Sequence, residues 1–471
     1  MHSCCQPEVI MDTPVITHES SPRSEFQPLL RLALPILITQ LAQMGTILVD
    51  TLMAGRVSAV ELAGVALGSA FMFPVAMTMM GLIQAVTPTV SQLRGAGRPH
   101  EVGEVVRQAF WIALLGACVT IALMLRAGSF LEFMVVDPRV IPIAVDYLGA
   151  VAWGIPGLLG YFVLRAMCDG LGFTRPAMFI AVSALMLKIP LNLIFIHGYF
   201  GIPAMGGMGC GVATAIVMWL ELSLILLVAL RPRFRHTGWL EKFSWPDPPH
   251  ILRLSKIGVP IGATLFCEMG LFSLVAVLLG RFGADVVAAH TIAINLGGII
   301  FMFPLSLGMA ATIRVGFNIG AEQFEQASRT AWIAVRVTVC VAVCSGTFVV
   351  VAREFIAGLY SKDLAVVTLA SSLMLFVALF QLFDNVQATT MGALRGYKDT
   401  RLPLIFTLVG YWLVGLPVAV VLGFGWLGEP LGAYGFWTGL TVALMFVAAC
   451  SLSRLWWLGR NPALILQLAA R

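Results

Sequence analysis

Charge is what this chain has least of. Asp, Glu, Lys and Arg make up 11% of its 471 residues, against 59% apolar. That balance excludes a soluble globular protein, because too little polar surface exists to cover the apolar remainder. The chain also lacks a GxxxxGK[ST] loop, an HExxH pair and any soluble catalytic block, so it has no means of hydrolysing ATP. No pair of aspartates stands at DDxxD-type spacing, as a membrane-embedded prenyl transferase would need. The nine cysteines fall into no metal or disulfide framework. Cys118, Cys168, Cys267, Cys340, Cys344 and Cys450 lie in or near helices, Cys210 opens the sixth, and Cys4-Cys5 are too close for an easy bridge. The run Gly206-Gly207-Met208-Gly209-Cys210-Gly211 has no strand before it, so it reads as tight loop geometry and not as a nucleotide loop.

What the chain has is long apolar blocks. A bilayer core about 30 Å thick is crossed by about 20 apolar residues. Twelve such blocks run roughly 28–54, 61–93, 105–125, 138–164, 176–198, 208–230, 251–279, 286–316, 329–351, 363–392, 401–423 and 432–457. Each must satisfy its own backbone polar groups in lipid, which makes them helices.

The unit is used twice. At a shift of 225, Pro35 falls on Pro260, Gly45 on Gly270, Gly55-Arg56 on Gly280-Arg281, and Gly95-Ala96 on Gly320-Ala321. At 226, Gly170 falls on Gly396, Thr174-Arg175 on Thr400-Arg401, and Gly206 and Gly209 on Gly432 and Gly435. The expected architecture is an all-α membrane protein with twelve transmembrane helices in two pseudo-symmetric six-helix lobes, parallel repeats about an axis along the membrane normal. Residues 1–27 are read as a mobile tail and not a cleavable signal, 28–230 as the amino-terminal lobe and 231–250 as the linker. Residues 251–457 form the carboxy-terminal lobe and 458–471 a second tail. With the amino terminus inside, 22 Lys and Arg face the cytoplasm and six face out (Arg56, Arg126, Arg139, Arg281, Arg353 and Lys362). That bias puts both ends in the cytoplasm. The net charge of +5 suits anionic lipid and requires no nucleic acid.

The informative residues are acids stranded in apolar helices, each costing about 2.5 to 3.5 kcal/mol at a helix centre. They are Asp50, Glu268 and Asp384. Their repeat mates are Val275, Gln43 and Leu158, so they break a symmetry that the scaffold keeps. One reading makes them hydrogen-bonding groups between helices. The other makes them stations on an ion or proton path. Asp50, Asn192 and Thr214 can share one layer near the outer side, beside Pro190, and together offer hard oxygen donors. Glu268 lies near mid-depth, with Asp384 somewhat further in. Glu221 and Lys188 can pair with each other or reach the interface by snorkelling.

At Val49-Asp50-Thr51-Leu52-Met53-Ala54-Gly55, Gln92-Leu93-Arg94-Gly95-Ala96-Gly97-Arg98, Lys188-Ile189-Pro190-Leu191-Asn192, Ala288-Ala289-His290-Thr291-Ile292-Ala293-Ile294-Asn295 and Leu394-Arg395-Gly396-Tyr397-Lys398-Asp399-Thr400, the chain resembles the multidrug and toxic compound extrusion family, in its bacterial NorM-like branch. The resemblance spans residues 28–457. It implies a monomeric antiporter of the bacterial inner membrane that exports amphipathic, often cationic drugs against inflow of Na+ or H+, with no cofactor. It places the amino-lobe cation site on Asp50, Asn192 and Thr214 and the carboxy-lobe acids on Glu268 and Asp384, with Asp50, Glu268 and Asp384 also meeting the substrate. Ile196 and Phe380 stand where some relatives carry further oxygen ligands. The other reading is a flippase for a lipid-linked oligosaccharide, which would need a basic cavity for pyrophosphate.

Overall fold

The computed structural model of the chain describes residues 22–133 and 137–469. Residues 1–21 of the expected 1–27 tail, with Cys4 and Cys5, lie outside those residues. Every regular element among the described residues is helical. The amino lobe comprises α1 (Pro22–Val57), α2 (Ala59–Ile83), α3 (Val86–Gly95), α4 (Val102–Leu125), α5 (Ala127–Phe133), α6 (Ile141–Ala152), α7 (Ile155–Gly170), α8 (Arg175–His197) and α9 (Gly207–Ala229). The carboxy lobe comprises α10 (Pro248–Leu279), α11 (Ala284–Gly320), α12 (Phe324–Tyr360), α13 (Leu364–Gly396), α14 (Arg401–Thr407), α15 (Leu416–Phe424), α16 (Ala433–Leu458) and α17 (Pro462–Ala469). Eleven spans are long and apolar enough to cross a bilayer, and the bent pair α6–α7 makes the twelfth. The expected class therefore stands, as an all-α, multi-pass membrane protein of two lobes.

Prolines explain where spans break. The α2–α3 span bends at Gln84-Ala85, four residues before Pro88, whose ring displaces the carbonyl at that distance and offers it no hydrogen. The bend of 48° between α6 and α7 falls at Trp153-Gly154, just ahead of Pro156. Two boundaries differ from the sequence reading. The first helix begins at Pro22 and not at 28, and Glu25 is buried in it, bound at 2.8 Å through each carboxylate oxygen to Arg314. Near the chain's end, α17 turns Ile465 and Leu468 into a core shared with Leu29, Leu307 and Leu458. That core marks one end of the bundle, here called proximal.

The lobes touch at the proximal end. A Cβ on Gly95 would lie 2.0 Å from the Phe317 carbonyl oxygen, and one on Gly320 would lie 1.9 Å from the Gln92 carbonyl oxygen. Those two contacts are the same contact seen from either repeat, since Gln92 and Phe317 are themselves mates. Gly81 also meets the other lobe, where an added Cβ would lie 2.6 Å from the Gly262 Cα. Gln92 Nε2 donates to the Gly396 carbonyl at 3.0 Å, and Arg395 to Gln84 at 3.2 Å. Among the described residues, no hydrogen bond or ion pair joins the lobes in their distal halves, where each lobe keeps its own core around Tyr147 and Met218 or around Phe436 and Trp437. The linker is fastened to α4, with Arg107 donating to the Gly238 carbonyl at 2.7 Å and Asp247 N to Gln108 at 2.9 Å.

One departure from symmetry matters for the site. Between α14 and α15, residues Leu408–Gly415 wind as a π-helix, a form that takes about one extra residue per turn and is frequent at functional sites. The repeat shift is 226 before it, with Arg175 on Arg401. Beyond it the shift is 227, with Pro190 on Pro417 and the left-handed Gly198 (φ 79°), which ends α8, on Gly425 (φ 73°), which ends α15. By Gly206 and Gly432, with φ 54° in both, it is 226 again. The carboxy lobe therefore carries one extra residue in that turn, and Tyr411 lies within it.

Candidate functional site

Three helices of the amino lobe meet at Asp50. It sits near the distal end of α1, while Lys188 and Asn192, one turn apart on α8, share a face, and Thr214 comes from the first turns of α9. Asn192 Nδ2 donates to Asp50 Oδ1 at 2.7 Å. The Lys188 ammonium lies 3.1 Å from Asp50 Oδ2 and also donates to the Thr214 hydroxyl. Thr214 holds its own hydrogen on the Cys210 carbonyl at 2.7 Å, leaving its lone pairs toward the lysine; Asp50 Oδ2 is further off at 3.4 Å. Lys188 is 2% exposed and Asn192 fully buried. Asp50, Asn192 and Thr214 are thus brought together. Lys188 joins them, paired neither with Glu221 nor with the interface; its burial beside a carboxylate costs less than burial alone.

The carboxy lobe builds a second cluster around Glu268 of α10. The π-turn carries Tyr411 to it, hydroxyl to Oε1 at 3.2 Å. Gln387 on α13 also meets that hydroxyl, with Nε2 donating at 2.9 Å and Oε1 accepting at 3.1 Å, so the hydroxyl's single hydrogen is shared between Glu268 Oε1 and Gln387 Oε1. Asp384, one turn before Gln387, is buried and has no hydrogen-bond or ion-pair partner among the described residues. On the same helix, Gln381 Oε1 and both polar atoms of the Asn385 side chain are buried with no protein partner among the described residues, as are His290 Nδ1 on α11 and Trp437 Nε1 on α16. The wall is aromatic. Trp437 stands 5.7 Å from both His290 and Phe380, and Phe272 lies 6.0 Å from Phe380.

Electrostatically the two clusters differ. The amino-lobe cluster has one acid and one base and sums to zero. The carboxy-lobe cluster has two acids and no basic partner within 4.0 Å among the described residues. Phe380 offers no hydroxyl, as expected, but Tyr411 supplies one from another helix. Sequence reasoning missed Tyr411, Gln387 and the unpartnered groups of α13. The signal available was slight: Tyr411 is one of only seven tyrosines, set between Gly410 and Gly415 in an otherwise apolar span.

With this geometry established, comparison with known proteins is decisive. The MatE family model matches residues 35–194 and again 260–421, one match per lobe. The chain belongs to the MatE family. It is similar to a protein named multidrug resistance protein MdtK from Yersinia pseudotuberculosis, 44% identical over 453 residues, covering 95% of this chain and 98% of that one. It is also similar to the protein of that name from Proteus mirabilis, 41% identical over 440 residues and covering 93% and 96%. Among solved structures, the Vibrio cholerae MATE transporter VcmN in its bent form superposes with a TM-score of 0.84 at 17% identity, over 95% of this chain and all of that one. The two-lobed MatE fold is thus the fold of this chain.

Proposed function

We propose that the chain is a secondary multidrug efflux transporter of the bacterial cytoplasmic membrane, with both termini inside, exporting amphipathic and often cationic organic compounds in exchange for Na+ or H+. Its class is supported by the MatE match in both lobes and by the MdtK relatives. The observation that carries the mechanism is the pair of buried polar clusters in lobes whose mutual hydrogen bonds, among the described residues, all lie toward their proximal ends. The positive-inside bias supports reading the proximal end as the cytoplasmic one, which makes this arrangement closed on the cytoplasmic side and able to part on the outer side. A carboxylate out of water attracts a cation strongly, and the coupling ion and a cationic drug then compete for the same acids. Ion entry from outside releases the drug, and the lobes rock to the inward-open state. Glu268 and Asp384 are the acids assigned to this exchange; Asp50, with Asn192 and Thr214 beside it, is the third acid facing the passage, and Lys188 already sits against it. Lipid is the surroundings, the working unit is one chain, and no cofactor, catalytic step or nucleic acid enters.

The flippase reading required a basic cavity, and the mid-membrane lysine it would have used is already neutralised by Asp50. The test is dye efflux from cells expressing the chain with Asp50→Asn, Glu268→Gln or Asp384→Asn. Efflux is expected to fall in Glu268→Gln and Asp384→Asn by at least tenfold. Wild-type rates from all three variants at equal expression would refute the exchange.

A further inference from the structure

Resting on that reading, the geometry points to a tethered cation in the amino lobe. We propose that the Lys188 ammonium fills the amino-lobe cation seat, excludes free Na+ from it, and leaves ion exchange to Glu268 and Asp384.

The argument starts from what the ammonium touches. It bridges Asp50 Oδ2 at 3.1 Å and the Thr214 hydroxyl, while Asn192 fixes the other carboxylate oxygen at 2.7 Å. These are the oxygens a small monovalent cation would need, and a lysine head is itself a compact point charge with three donors. Asn192 Oδ1 remains buried with no protein partner among the described residues. Lys188 is 2% exposed, so its charge is neither diluted by solvent nor free to leave without unpairing Asp50. A sodium ion entering the seat would meet a like charge at about 4 Å. At an effective dielectric constant of about 20, that repulsion weakens binding by about a thousandfold. The carboxy lobe has no such occupant: Glu268 is met by a tyrosine hydroxyl, and Asp384 has no partner among the described residues.

The rival reading is that Asp50 and Lys188 merely fasten α1 to α8. The two are separated by a gain of function. Purified protein in nanodiscs is titrated with isotopic Na+. The wild type and the charge-neutral double variant Asp50→Asn/Lys188→Met are expected to bind the same amount of Na+, because Asp50 contributes no seat while the lysine is present. Lys188→Met alone is expected to gain one Na+ equivalent, bound about a thousandfold more tightly at that locus than in the wild type, and to lose it again on adding Asp50→Asn. A wild type whose Na+ binding drops in the double variant overturns the proposal, as does a well-folded Lys188→Met that gains nothing. If Lys188→Met does not fold, the comparison of wild type with the double variant still decides. Dye efflux on the same proteins keeps the two readings apart. A chain that exports no dye yet shows this Na+ pattern sinks the efflux reading alone, whereas active efflux with Asp50-dependent Na+ binding in the wild type sinks this one alone.

Discussion

The proximal seam is the part of the structure whose strength can be worked out and then broken. Replacing Gly95 by Ala places a methyl group 2.0 Å from the Phe317 carbonyl oxygen, whereas contacts under 3.0 Å are essentially never made, so the lobes must part by at least 1.0 Å at that point. Backbone lies on both sides of the contact, and no side chain can swing away. Overpacking of this kind costs about 1 to 3 kcal/mol, and because it falls between lobes, separation relieves it without unfolding either one. The equilibrium should therefore shift toward the proximally open state by about 5- to 150-fold. Spin labels at Arg98→Cys and Glu325→Cys, both exposed and on opposite lobes, report the proximal distance; labels at Val57→Cys and Asp285→Cys report the distal one. In Gly95→Ala the proximal distribution is expected to lengthen while the distal one shortens. Gly149→Ala is the control: nothing lies within 4 Å of its added carbon, and in a helix it should be neutral or stabilising by up to about 1 kcal/mol. Unchanged distributions with normal expression in Gly95→Ala would show that this seam is not the gate.

Two further outcomes follow from single groups. Tyr411→Phe keeps the ring but strips the hydroxyl from Glu268 and Gln387, leaving buried groups unpaired at a cost of about 1 to 3 kcal/mol; dye efflux should fall at least fivefold with little loss of folded protein, and unchanged efflux would make the π-turn a packing feature only. Lys398, in the connection between α13 and α14, is pushed down to about 8 by burial and then by Arg253, from an ordinary value of 10.5. The unfolded chain therefore holds the extra proton between about pH 8 and 10.5, so this lysine's contribution to stability is at its worst below about pH 8 and improves as pH rises through that window. At about 1.4 kcal/mol per pKa unit the span is of the order of 3 kcal/mol. Lys398→Met should raise the thermal midpoint at pH 7 and flatten its rise above pH 8, and an equal slope in both proteins would count against the assignment.

What the sequence made legible was whatever depends on period and repetition. The twelve spans, the glycine mates Gly95 and Gly320, and the meeting of Asp50 with Asn192 and Thr214 all follow from apolar block lengths and from residue order along helices of opposite direction. Lys188 was visible as a residue but not as a partner, because its distance from Asp50 depends on how α1 and α8 are rotated, and a 3.6-residue period with apolar residues all round fixes no rotation. Tyr411 was out of reach for a different reason. Its direction is set by a π-turn, and an insertion of one residue shows in sequence only as a slip of the repeat from 226 to 227, confined to the stretch between Arg401 and Gly425. Glu25 looked like a tail residue until Arg314, 289 positions away, was found against it.

The divergence of the two lobes is itself an argument about division of labour. Each residue of the amino-lobe cluster has an uncharged mate in the carboxy lobe: Asp50 faces Val275, Lys188 Gly415, Asn192 Ala419 and Thr214 Leu440. In the other direction, Glu268 answers to Gln43 and Asp384 to Leu158. The close-packed glycines, by contrast, are kept in pairs, with Gly170 pressed on Val90 and Gly396 on Val315 at matching positions. Selection for folding alone would act alike on both copies, since the same helices must pack on the same neighbours. At the two clusters the chemistry has instead been sorted, with an acid neutralised by a lysine in one and two acids that have no basic partner within 4.0 Å among the described residues in the other. A cation drawn between the lobes therefore meets a seated ammonium at Asp50 but none at Glu268 or Asp384, and the free energy that an ion gradient supplies is expected to be spent at those two acids.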